Sequence, residues 1–311
     1  MISQAPPPEN ERDLLPSEYI RRAIERLAFQ ANRTAKSPRP DAVHDLRVAI
    51  RRAEQALVTF RDHVPRKSLR RIRKQLKAVL SCAGALRDCD VAAKILAKIR
   101  QPGAAALGRR IQVSRKHAEK ELLTRLRHLS LRTRVSRWCD DLKLNALQAE
   151  FDADALRALG KETLSRLAQR FFQAGETAFT QSTGERLHDF RIRAKKFRYA
   201  IELFLPVYGP PADEWTREIK TVQAILGSMN DYRTVLAMAA GAGCGNKLKS
   251  ALRRSERRKI RQFRAVWEER FSGSGPAWLQ ALRLRAPEDG IRRKPITAAV
   301  RETHRAAAAG E

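Results

Sequence analysis

Acidic residues are scarce beside basic ones, 34 Asp plus Glu against 63 Lys plus Arg, which leaves a formal net charge of +29. This exceeds what solubility requires and creates a field that captures polyanions: nucleic acid, an anionic membrane or a polymeric phosphate. Aromatics are also few, at 6%. Sequence-tolerant binders of single-stranded nucleic acid stack bases on aromatic platforms, so this scarcity counts against that class. The four cysteines, Cys82, Cys89, Cys139 and Cys244, form no C-x-x-C pair and no framework, which predicts reduced thiols. No apolar run approaches the ~20 residues of a membrane helix. The opening MISQAPPPENERD has no basic start followed by an apolar stretch, so no secretory signal is expected and the expected location is cytoplasmic. H-E-x-x-H and Cys/His clusters are missing, which predicts no metal site. Carboxylates are scattered and no Gly-rich loop ends in Lys-Ser/Thr, so neither phosphate hydrolysis nor transfer is expected: the reading is a binding protein, not an enzyme, without cofactor.

What the chain has is helical periodicity, with no strand alternation. Residues 1–14 read as a Pro-rich disordered lead and 286–311 as a flexible tail. Between them the pattern predicts helices over 17–35, from the segment after KSPRP to near Pro65, over 65–84, over 88–100 and over 105–130, with helix also around Trp138. The pattern then restarts over 152–181, from a second motif to Pro206, over 212–228, in a short helix from Asp231, and over 248–271. In this reading Gly84 and Gly227 end helices, and Asp88 and Asp231 cap the next ones. Asp45 and Asp189 fall in first turns, where a carboxylate suits the helix dipole.

Two strings stand out. VHDLRVAIRRAEQAL (43–57) returns as LHDFRIRAKKFRYAI (187–201), 144 residues on. LKAVLSCAGALRDCDV (76–91) is echoed by IKTVQAILGSMNDYRTV (219–235), 143 residues on. Shared order, spacing and content predict an all-α protein of two tandemly duplicated helical bundles, about 15–145 and 150–285.

On a helical wheel at ~100° per residue, Arg47 and Arg51 lie within about 60° of His44. Leu46, Ala49, Ile50, Ala53 and Leu57 lie opposite. From His188, Arg191 and Lys195 fall alongside, and Phe190, Ala194, Phe197, Ala200 and Ile201 opposite. Each motif helix thus carries one apolar stripe for a core and one cationic stripe facing away. An ordinary solvated face alternates charge signs at i,i+4; most neighbours here are like-charged, so the stripe costs stability until an anion arrives. Glu54 and Glu202 dilute its edge. The following helix adds basic residues in its own arc. The candidate anion contacts are His44, Arg47, Arg51, Arg52, Arg73, Lys74 and Lys77 in the first half, and His188, Arg191, Lys195, Lys196, Arg198 and Lys220 in the second. A further basic run, Arg253, Arg257, Arg261 and Arg264, comes near the end.

With HDLRVAIRR and LKAVLSCAGALRDCDV, then LHDFRIRAKKFRYAIE and IKTVQAILGSMNDY, the chain resembles the CHAD (conserved histidine α-helical domain) family over about residues 15–285. The resemblance implies two bundles related by a pseudo-twofold axis, with basic helices lining a shared cleft. It also implies binding of inorganic polyphosphate, often at polyphosphate granules. Many relatives carry an added triphosphatase-type domain of antiparallel strands; a stand-alone module is expected here. The first half departs from the pattern at Cys82-Ala83-Gly84, and Asn230 stands where the first half has Arg87, which leaves Arg87 without an assigned role. Polyphosphate is a flexible line of charge with no bases to read, and Arg forks and Lys ammonium groups suit it. The alternative is a general binder of nucleic-acid backbones, and weak secondary binding of nucleic acid is expected at this charge.

Overall fold

A computed structural model describes residues 16–149, 153–208 and 210–284. The expected lead and tail lie outside these, as does Asp152 at the expected start of the restart helix. Among the described residues the chain is helical throughout, with no strand. The helices are α1 (Pro16–Lys36), α2 (Pro40–Thr59), α3 (Arg66–Leu96), α4 (Ala104–Leu129), α5 (Leu131–Asp141), α6 (Leu144–Ala149), α7 (Ala153–Gln181), α8 (Gly184–Tyr208), α9 (Pro210–Gly241), α10 (Asn246–Arg270) and α11 (Gly275–Leu284).

Packing follows the apolar stripes. In the first half α1 packs on α2, α2 on α3 and α3 on α4. In the second, α7 packs on α8, α8 on α9 and α9 on α10, in the same order. Leu46, Ile50, Ala53 and Leu57 of α2 sit in a core with Ile20, Ile24 and Leu27 of α1 and Ile72, Leu76 and Val79 of α3. The second core takes most of the chain's aromatics: Phe171, Phe190, Phe197, Phe263, Trp267 and Phe271 are all buried there. A third core ties the halves together where the far ends of α3 and α4 meet those of α9 and α10, through Leu96, Leu107, Val235 and Leu252. The halves also touch where α2 meets α8 and α3 meets α9.

Two expected breaks are absent. Helix α3 runs unbroken through Gly84 to Leu96, and α9 through Gly227 to Gly241. Asp88 and Asp231 are therefore mid-helix residues rather than N-caps. A mid-helix glycine costs ~1 kcal/mol against Ala, and at Gly84 the structure shows what offsets that cost. A Cβ there would lie 2.9 Å from Nη1 of Arg47, so the missing side chain makes room for the guanidinium. At Gly227 a Cβ would meet nothing within 4 Å, and nothing in the structure explains that glycine. The motif helices also start earlier than expected, at Pro40 and Gly184, so Asp45 and Asp189 lie in second turns. Each is held by an arginine: Arg33 Nη1 donates to Asp45 at 2.6 Å and Arg193 Nε to Asp189 at 2.8 Å.

Candidate anion-binding seam

Because Leu46, Ile50 and Phe190, Phe197 commit one face of α2 and α8 to the two cores, the opposite faces are free to turn toward each other. Where the helices meet, Arg47 and Arg51 of α2 come together with Arg191 and Lys195 of α8. Arg87 of α3 joins them. Arg47, Arg51, Arg191 and Lys195 are all half-buried. Arg47 is positioned by a hydrogen bond from Nη1 to the carbonyl of Leu80 at 3.2 Å. Arg191 has no such anchor for its Nε, which is buried without a hydrogen-bond partner.

Crowding like charges leaves an electrostatic signature. Burial, then the field of Arg191, Arg51, Arg47 and Arg198, pushes the Lys195 ammonium down to about 6. Burial and Arg51 lower Arg47 to about 10, with Asp88 opposing. Arg191 is lowered by burial and Arg51, against the pull of Asp231 and Asp88. At neutral pH Lys195 is therefore largely uncharged in the empty seam, and regains its proton when negative charge arrives. Two carboxylates flank the cations. Burial raises Asp231 above the usual carboxylate range, countered by Arg191 and Arg87. Asp88 keeps an exposed edge, yet protein crowded round its carboxyl raises it as well, countered by Arg47 and Arg191.

His44 and His188 are both exposed, each on its motif helix. Crowding by protein, then Arg87, with smaller contributions from Arg47 and Arg51, holds the His44 imidazole below the ordinary histidine range against the pull of Asp45. Arg73 and Lys77 are exposed on α3 and, with Arg51, act on the half-buried Glu54, whose carboxyl burial raises. Lys74, Lys196 and Lys220 are exposed on α3, α8 and α9.

Arg52 and Arg198 have a different place. Arg52 Nε donates to Glu202 at 3.1 Å across the two halves, and Glu202 also accepts from Arg198. Arg198 Nε reaches Gln223 at 2.8 Å, and Gln223 in turn donates to the Ala194 carbonyl at 2.7 Å. This network locks α2, α8 and α9 beside the seam, with two guanidinium groups sharing the one carboxylate of Glu202. The structure thus gathers Arg47, Arg51, Arg191 and Lys195, with His44 beside them, and sets Arg52 and Arg198 in the lock. Sequence reasoning missed Arg87, Asp88, Asp231 and the bridging role of Glu202. A signal existed for the first two: Arg87 and Asp88 stand three and four residues after Gly84, on the helix face that receives Arg47.

Among the described residues no three His, Cys, Asp or Glu side chains gather as a metal site, and no helix is long and apolar enough to cross a membrane. Phe29, on α1, is the exposed aromatic among the described residues; the others are buried or partly buried.

The CHAD domain model matches residues 18–240. The crystal structure of the CHAD domain from the plant Ricinus communis aligns with a TM-score of 0.62 at 20% identity, over 89% of this chain and 93% of that one. PptA from Streptomyces chartreusis aligns with a TM-score of 0.55 at 20% identity, over 86% of this chain and 98% of that one. At such identities the likeness establishes the fold. No curated protein matches the chain.

Proposed function

The chain belongs to the CHAD-domain family, and from that premise we propose that it binds inorganic polyphosphate, without catalysing its turnover, in the cationic seam where α2 meets α8. The observation that carries this reading is the convergence of Arg47, Arg51, Arg191 and Lys195 from two halves of the chain where α2 meets α8. A like-charged cluster of this kind destabilises the protein until an anion fills it. Arginine forks pair with phosphate oxygens, and the lysine adds charge on demand. In this reading the two halves are duplicated copies that face one polymer from two sides. An anion entering the seam would give the buried Nε of Arg191 a partner.

Exposed Arg73, Lys74 and Lys77 on α3 and Lys196 and Lys220 on α8 and α9 extend the path for a longer chain. Counterion release supplies much of the affinity and makes it steeply salt-dependent. Association with polyphosphate granules follows if the protein meets its ligand in that form. A general nucleic-acid backbone binder is the second reading, favoured by net charge alone. It is weakened by the burial of most aromatics among the described residues, which leaves little stacking surface beside the cations.

The test is competition at near-physiological salt. Labelled long-chain polyphosphate is bound, and single- and double-stranded DNA and RNA are added at equal phosphate concentration. Retention of the label supports the seam as a polyphosphate site; ready displacement by nucleic acid transfers the function to the second reading.

A further inference from the structure

Helix α10 carries a cationic surface that the seam does not use. Arg253, Arg254, Arg257, Arg258, Arg261 and Arg264 are all exposed. At ~100° per residue they occupy about 140° of the helix circumference, on the side away from buried Phe263 and Trp267. None of the six lies within ion-pair distance of a carboxylate among the described residues. The acid within this stretch, Glu256, is taken by Arg233 of α9 at 2.7 Å. Elsewhere in the protein some arginines are matched: Arg33 holds Asp41 and Asp45, and Arg115 of α4 holds Asp90 and Glu119. A solvated face with both signs would gain a few tenths of a kcal/mol per i,i+4 pair, whereas this one is repulsive. From Arg253 to Arg264 the stripe extends about 16 Å along a straight helix.

Its direction separates it from the seam. Helices α8 and α10 both pack on α7 and α9. Their apolar faces meet in the core between them, with Phe190 5.6 Å from Phe263 and 5.1 Å from Trp267, ring centre to ring centre. Arg191 and Lys195 leave α8 away from that core toward α2, and the α10 arginines leave it on the far side of the bundle. No short anion touches both.

The geometry points to a second polyphosphate track on the outer face of α10, so that one protein holds two polymer segments and bridges them. This rests on the proposed function of the seam. The stripe is made of forked guanidinium groups, and the ring beside it, Phe179, is half-buried with the Arg264 guanidinium over it at 5.3 Å, which fits a flexible line of phosphates rather than unstacked bases. Two tracks facing apart cannot chelate one short segment. They join distant segments or separate chains, and a bivalent particle on a multivalent polymer condenses it.

The experiment uses the full chain and a linear oligophosphate too short to cross the bundle, titrated by calorimetry. The expected stoichiometry is two per chain in the wild type, one in the variant Arg253→Gln/Arg257→Gln/Arg261→Gln/Arg264→Gln, and one in Arg51→Glu/Lys195→Glu. With long-chain polyphosphate, light scattering by the α10 variant is expected to fall by about fivefold or more while its oligophosphate affinity at the seam stays. Glutamine keeps helix propensity, and the milder Arg257→Gln/Arg261→Gln pair, checked for helicity, covers any loss of fold. A wild-type stoichiometry of one that only the seam variant abolishes overturns the second track and leaves the seam reading intact. A stoichiometry of one that only the α10 variant abolishes overturns the seam reading instead. Loss of duplex DNA binding by the α10 variant with unchanged oligophosphate stoichiometry makes the track a nucleic-acid surface and overturns the proposal.

Discussion

The guanidinium of Arg47 rests on the bare backbone of Gly84, with Nη1 2.9 Å from where a Cβ would stand. The glycine is thus part of how the seam is built, although it touches no anion. Gly84→Ala adds a methyl against the far end of a flexible side chain, which moves aside cheaply, and gains ~1 kcal/mol of helix propensity. The expected outcome is an unchanged or raised melting temperature together with weaker polyphosphate binding, because Arg47 is displaced. Thermal melts and a binding titration on one preparation check both signs. A variant that binds as well as the wild type removes Gly84 from the site's architecture.

Lys195 makes binding proton-linked. Its pKa is pushed down to about 6 in the empty seam, and a bound anion raises it by favouring the charged form. Binding therefore takes up a proton above pH ~6, and affinity rises as pH falls from about 8 toward 6, by at most about tenfold per pH unit per proton. His44, also lowered, adds uptake of the same sign. Calorimetry in buffers of different ionisation enthalpy measures the uptake, and Lys195→Met is expected to remove most of it.

The same lysine opposes folding. Its folded-state pKa lies below its unfolded value, so the protonated side chain destabilises the native state. That cost is fully present below pH ~6 and fades as pH rises toward the ordinary lysine range. Lys195→Met is therefore expected to raise the melting temperature more at pH 6 than at pH 9, by about 2–4 °C for each kcal/mol recovered, while weakening binding. Equal shifts at both pH values would show that lost charge is not the cause.

Charge reversal at Arg51 and Lys195 together is expected to abolish tight polyphosphate binding with helicity intact. The partial variant Arg51→Gln is expected to lower the slope of log affinity against log salt by about one. Circular dichroism and a salt series are the checks. Unchanged affinity in the double variant would sink the seam assignment.

Gly175 tests the second core independently of binding. A Cβ there would fall 1.9 Å from Cη2 of Trp267, a buried ring packed among Phe171, Phe190 and Phe271. Trp267 is further fixed by its Nε1 donating to Glu176 at 3.1 Å. Gly175→Ala is expected to cost about 1–3 kcal/mol by overpacking. Denaturant unfolding measures it, and seam affinity below the transition is expected to stay near the wild-type value.

Much of this was legible in the sequence. Helical periodicity gave the all-α class, and the apolar stripes of the motif strings named the core residues that the structure buries, because amphipathic phase is a local property of the chain. The cationic stripes were legible for the same reason. Helix interruption at Gly84 and Gly227 was read wrongly: glycine's cost is local, but packing of Arg47 on Gly84 comes from residues 37 positions apart. The pairing of stripes was also beyond the sequence. That Arg51 faces Lys195 while Arg52, one residue on, pairs with Glu202 depends on the angle at which α2 meets α8. One position on a helix turns a side chain by ~100°. The chain by itself determined that cationic faces exist. Only tertiary packing decided which cations crowd into a seam, which are matched by carboxylates, and that the arginines of α10 look the other way.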